Sequence, residues 1–174
     1  MIHFVARDAF DIEGLGEKQI AEFWQEGVVK SPVDIFTLEE RNKTSARPLQ
    51  TWEGYGEKSV EKLFKAIEKA RNISLERFIY ALGIRHIGEI NAKLLARHYG
   101  NFKTWLAAME QLGEIKGDEQ KEQNAAYQDL DAIDGSGMLR GGDELWYWSQ
   151  KFVVEIQKRL KKPVGMEMSA MMHH

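Results

Sequence analysis

Cysteine is absent from this 174-residue sequence. That excludes disulfides and thiolate metal sites and fits a reducing compartment, with the cytoplasm as the default. Proline occurs only three times, so little of the chain is barred from helix. No apolar run approaches the roughly 18 residues that a membrane span requires. The N-terminus also lacks the charged-then-apolar order of a secretory signal, and no membrane partner is expected. Positive charge is in deficit too: 24 Lys and Arg against 27 Asp and Glu give a formal net charge of −3. This argues against gripping a polyanion through a bulk positive field. His3, His86, His98 and the terminal pair His173 and His174 show no metal-ligand spacing, so no metal site is expected. What remains, at 43% hydrophobic and 29% charged residues, is a folded chain able to bury one sizeable core or two small ones.

The feature that organises the chain is a repeat. Ile12-Glu13-Gly14-Leu15-Gly16-Glu17-Lys18 returns forty residues later as Trp52-Glu53-Gly54-Tyr55-Gly56-Glu57-Lys58, identical at five of seven positions. Ile20, Phe23 and Trp24 then answer to Val60, Leu63 and Phe64. Such repetition means one supersecondary unit used more than once. Each unit reads as an apolar residue, an acid, Gly-apolar-Gly, then an amphipathic helix. Both glycines of a pair are expected in a tight turn at positive φ, with Leu15 or Tyr55 anchored in the core between them. The flanking amides then point outward at a helix start, where unpaired N–H groups and the positive dipole end form a phosphate site. This is a helix-hairpin-helix element, whose usual ligand is a nucleic-acid backbone. Its amides can bind phosphate without net positive charge. Gly83-Ile84-Arg85-His86-Ile87-Gly88 reads as a third, longer glycine-bounded turn, and Asp134-Gly135-Ser136-Gly137 as a fourth, degenerate one.

Apolar spacing sets the helices around these turns. Phe4, Val5 and Phe10 are available for packing before the first turn, and Ile20, Phe23 and Trp24 are expected on one helix face from Glu17 to Glu26. Ser31-Pro32 starts a short helical turn through Leu38, and Arg41 to Pro48 reads as loop. Val60, Leu63, Phe64 and Ile67 predict a helix over 57–71, with Glu61 and Lys65 placed as an i,i+4 pair. Ser74 caps the next helix, Glu89 to Tyr99 forms another, and Phe102, Trp105, Leu106 and Met109 outline one more. Gly113 to Gln128 turns polar and reads as a solvated insertion; a last helix falls within 138–163, and the Met-rich 164–174 reads as a disordered tail. Trp and Phe at helical positions are assigned to core, with Trp146 and Tyr147 as candidates for exposure.

The runs Phe4 to Lys18 and Leu75 to Glu89 closely resemble bacterial NAD-dependent DNA ligases, in which these stretches belong to the helix-hairpin-helix domain. The resemblance covers Phe4 to about Gly137. It implies an all-α fold of tandem helix-hairpin-helix repeats, RuvA domain 2-like, with four hairpins of which the fourth is degenerate. It further implies an excised, non-catalytic domain beside the nick in duplex DNA, holding phosphates of both strands. No catalytic residue is expected; NAD and a divalent metal would belong to parent domains absent from this chain, which would be its other partners. The isolated domain is expected to be a monomer. Two departures stand out. Ala132-Ile133-Asp134-Gly135 keeps only Asp-Gly of the family's Lys-x-Asp-Gly motif, and Ser136 replaces the apolar anchor of the fourth hairpin.

The candidate phosphate contacts are Gly14, Leu15, Gly16 and Lys18; Gly54, Tyr55, Gly56 and Lys58; Gly83, Arg85 and Gly88; and Gly135 and Gly137. A lysine in the first turn of a helix is slightly unfavourable to the dipole, which a bound phosphate would offset. Lys93 and Arg97 share one helical face and either flank the backbone or are simply solvated. Two other readings stay open: a helical protein-interaction module, consistent with the acidic charge, and a small base-excision enzyme, for which no base pocket pattern is visible.

Overall fold

Helix formation follows the apolar spacing and the caps. The computed structural model describes residues 1–133 other than Asp8, together with Trp146 and Gln150. The chain divides after Ile73 into two units. Among the described residues it is all-α: ten helices, a single 3-10 turn and no strand.

The first unit holds α1 (Ile2–Val5), α2 (Glu17–Gln25), α3 (Pro32–Phe36), α4 (Leu38–Lys43) and α5 (Glu57–Ala70), with the 3-10 turn at Leu49–Thr51. Two aromatic clusters fill it. Phe4 stacks on Phe10 at 4.4 Å, with Phe36 against both rings and the Arg71 guanidinium 5.2 Å from Phe36. Phe23, Trp52 and Tyr55 form the other, with centroids 5.8 to 6.0 Å apart. On α5, Val60, Leu63 and Ile67 point inward and Glu61 pairs with Lys65 at 2.9 Å outside. Two expectations are corrected. Trp24 is 53% exposed, because α2 buries only Ile20 and Phe23 and residue 24 lies a full 100° step round the helix from Phe23. The stretch from Arg41, read as loop, stays helical to Lys43. Its support is a side chain rather than an apolar stripe: Arg41 donates to the carbonyls of Val28 (2.8 Å) and Asp34 (2.6 Å) and to Thr37 Oγ1 (3.1 Å).

The second unit holds α6 (Leu75–Ala81), α7 (Glu89–Tyr99), α8 (Phe102–Gly113), α9 (Asp118–Gln123) and α10 (Ala125–Asp131). Ser74 and Asn101 cap α6 and α8 by accepting from Arg77 N–H (3.4 Å) and Thr104 N–H (2.9 Å). Phe78 meets Phe102 and Trp105 edge-on at 5.3 and 5.7 Å. The polar stretch from Gly113 is not simply an insertion. α9 buries nothing, but Ile115, Ala126 and Leu130 are buried and α10 packs on α8. A seven-residue helix with two small buried contacts is too short to announce itself by periodicity. Trp146, expected exposed, is buried, with the Lys121 ammonium 5.0 Å from its ring. The fourth turn with Gly135 and Gly137, Tyr147, the helix expected within 138–163 and the tail lie outside the described residues.

Candidate nucleic-acid interface

Three turns share one geometry. In the first, Leu15 N–H donates to the Ile12 carbonyl at 3.2 Å; in the second, Tyr55 N–H to Trp52 at 3.1 Å; in the third, Ile87 N–H to Ile84 at 3.0 Å. The third residue of each has positive φ: +84° at Gly14, +83° at Gly54 and +65° at His86. A four-residue turn with its positive φ at that position is type II. The fourth residue turns inward, fully for Leu15 and Ile87 and partly for Tyr55. The next is a glycine that caps a helix: Gly16 for α2, Gly56 for α5 and Gly88 for α7.

This corrects the reading of the glycines in two ways. Only the first of each pair needs the left-handed region; Gly16, Gly56 and Gly88 have φ of −91°, −145° and −85°, which any residue adopts. In the third turn His86 stands where Gly14 and Gly54 stand. Gly83, at φ +64°, ends α6 one residue before the turn begins. Setting Ile84 to Glu89 directly beneath the other repeats would have found this from the letters alone. A histidine tolerates φ of +65° better than a branched side chain but still at a cost. The structure supplies a brace: Asn91 Nδ2 donates to the His86 carbonyl at 2.9 Å. In the first turn the residue at the same helical position, Gln19, accepts from Gly16 N–H at 3.2 Å. Sequence reasoning missed both braces, which show only once the turn geometry is known.

The exposed edge of each turn is main chain. The first amides closing an intrahelical bond are Ile20, Val60 and Ala92, donating to Gly16, Gly56 and Gly88 at 2.9 to 3.0 Å. The three N–H groups before each of them have no acceptor among the described residues and sit at the positive end of the helix dipole. A Cβ built on Gly56 or Gly88 meets no atom of the described residues within 4 Å, so no described neighbour requires glycine there. Lys18, Lys58 and Arg85 are exposed beside these amides and form no ion pair among the described residues. Lys93 and Arg97 are likewise exposed and unpaired on α7. Tyr55 does more than anchor its turn. Its hydroxyl donates to Glu22 Oε2 on α2 at 2.9 Å, and burial together with that carboxylate pushes the phenol up to about 12. The first two turns are thus tied within one unit: Tyr55 packs on Phe23 of α2, while Gly14 faces Leu63 of α5. The third turn belongs to the other unit. No group of three or more His, Asp or Glu able to hold a metal ion occurs among the described residues.

The helix-hairpin-helix motif family matches residues 77–117, which run from α6 through the third turn and α8 to the start of α9. A DNA ligase of Rickettsia rickettsii (strain Sheila Smith) is 45% identical over 165 residues, covering 95% of this chain and 23% of the relative. A DNA ligase of Rhodopseudomonas palustris (strain HaA2) is 58% identical over 135 residues, covering 78% of this chain and 18% of the relative. This is a helix-hairpin-helix domain of the DNA ligase type. The domain spans about a fifth of the length of the curated relatives it matches. All three hairpins described above fall in it, two of them ahead of the segment matched by the motif family.

Proposed function

We propose that this domain binds the backbone of duplex DNA without sequence preference, helping an NAD-dependent ligase hold nicked DNA for strand joining in replication and repair. The grip is its contribution; the chemistry belongs to other parts of such an enzyme. One observation carries the reading. Gly56 and Gly88 have ordinary backbone angles and, among the described residues, open space where a side chain would lie, so beyond a modest merit as N-caps the fold does not call for glycine there, and close approach of a ligand does. The neighbouring unpaired amides select an anion, and a phosphate is the anion that helix starts receive best. Contacts of this kind fix a protein on the duplex and carry no sequence information.

The test is fluorescence anisotropy with a nicked duplex and its intact counterpart, at salt between about 50 and 200 mM. Log affinity should fall linearly with log salt, by roughly 0.9 per phosphate neutralised, and should be indifferent to base sequence. Undetectable binding at the low end of that range would instead favour a protein-interaction module, in keeping with the acidic net charge.

A further inference from the structure

Ile90 is the most exposed large apolar side chain described, at 77%. A single exposed isoleucine is ordinary on a protein surface; the position of this one is not. It is the second residue of α7, the place held by Lys18 in α2 and by Lys58 in α5. The three turns match in hydrogen bonding, in the positive φ and in the glycine cap, so the three side chains leave their hairpins in equivalent directions. A β-branched residue gains nothing from helix propensity there. Ile90 also heads a row. Lys93 and Arg97 follow at i+3 and i+7 on the same face of α7, both exposed and both without a partner among the described residues. The buried stripe of Ala92, Leu95 and Tyr99 lies on the opposite side. Arg85 projects from the turn itself.

From this arrangement we infer that Ile90 packs on deoxyribose carbons of the bound strand, between phosphates engaged by the third hairpin and by Lys93 and Arg97. The inference rests on the DNA-binding reading above. An apolar residue followed by unpaired cations complements a chain in which sugars alternate with phosphates. An acidic protein surface would match the cations and leave the isoleucine in water. The third hairpin thereby differs from the first two. They add a lysine charge at this position, whereas the third adds a contact that salt does not screen.

The experiment compares the wild-type chain with Ile90→Ala and Ile90→Lys by anisotropy on one nicked duplex across a salt series, with light scattering for oligomeric state. Ile90→Ala should bind roughly threefold to tenfold more weakly, with an unchanged slope of log affinity against log salt. Ile90→Lys should steepen the slope by about 0.9, reproducing at the third hairpin what Lys58 does at the second. Both variants keep the fold, since the side chain is outside the core, and circular dichroism checks this. Wild-type affinity retained by Ile90→Ala would overturn the inference while leaving DNA binding intact. So would a wild-type dimer that Ile90→Ala dissociates without touching DNA affinity, which would assign the residue to a protein contact. A wild-type chain that does not bind the duplex would sink the functional reading itself.

Discussion

At Gly54 the backbone has φ of +83° and a Cβ would meet nothing within 4 Å, so the demand for glycine there is conformational rather than steric. At Gly56 φ is −145° and the space is equally open, so neither demand applies. The same substitution at these two positions should therefore separate fold from function. Gly54→Ala should cost about 1–2 kcal/mol of stability, read from a urea midpoint, because alanine is forced into the left-handed region. Gly56→Ala should leave the midpoint nearly unchanged: a less favourable cap and a less flexible unfolded chain oppose one another at about 0.5 kcal/mol each. It should nevertheless weaken binding to nicked duplex at least tenfold by holding the phosphate off the amides. A stability loss at Gly56 equal to that at Gly54, with affinity intact, would contradict this division. The paired glycines were legible in the sequence because they repeat. The different roles of the two partners were not, since the letter is the same while one is chosen by φ and the other by clearance. His86 is a different case: its place is legible once Ile84 to Glu89 is set under the other repeats, and bounding the turn at Gly83 and Gly88 is what hid it, whereas its brace by Asn91 has no signature in the letters.

Among the elements, those with a strong apolar stripe, such as α2 and α5, fall within a residue of where periodicity puts them, and Ser74 starts α6 where its cap predicts. One sustained by packing on another helix, α10 against α8, does not, and neither does α4, whose support is the hydrogen bonding of a single side chain, Arg41, rather than a stripe. A sequence window contains the stripe and cannot contain a partner far along the chain. The tie between the second hairpin and α2 is of this distant kind, 33 residues apart, and it is testable through pH. The Tyr55 phenol is held at about 12, above its ordinary 10, by burial first and then by Glu22. The folded state thus keeps its proton where the unfolded chain has lost it. The stabilisation is fully present below about pH 10 and is lost as pH rises from there through 12. Urea midpoints between pH 8 and 12 should fall over that window in the wild type. In Tyr55→Phe the stability read from the midpoint should be lower by about 1 kcal/mol at neutral pH, from the missing hydrogen bond, and the alkaline fall should be shallower. It should not vanish, because burial and Asp129 also push the Tyr99 phenol up in the second unit. An alkaline limb identical in the two proteins would mean that the hydroxyl is not held by Glu22 in solution.

For the whole molecule, the difficulty raised by a net charge of −3 is one of distribution. Between Arg85 and Lys103 there are four Lys and Arg and one acid, Glu89; between Glu110 and Asp131 there are seven acids and two lysines. The first segment carries the third hairpin and α7, and the second carries the end of α8 with α9 and α10. Contact with phosphate is local, whereas repulsion from the acidic segment acts over the Debye length. That length is about 10 Å at 0.1 M salt and about 30 Å at 0.01 M. Lowering the salt therefore strengthens both terms, and the repulsive one gains reach. Log affinity should follow a straight line against log salt above about 50 mM and flatten below it, unlike the behaviour of a basic DNA-binding domain. The double variant Glu119→Gln, Glu122→Gln should restore the line at low salt and raise affinity there, while changing little at 0.15 M. Both side chains are exposed on α9, which buries nothing, so the fold should not respond. Anisotropy titrations of the two proteins from 10 to about 200 mM salt decide the matter. A wild-type line that stays straight to the lowest salt would mean that the acidic segment is too far from the bound duplex to be felt, and that this charge asymmetry plays no part in how the domain meets DNA.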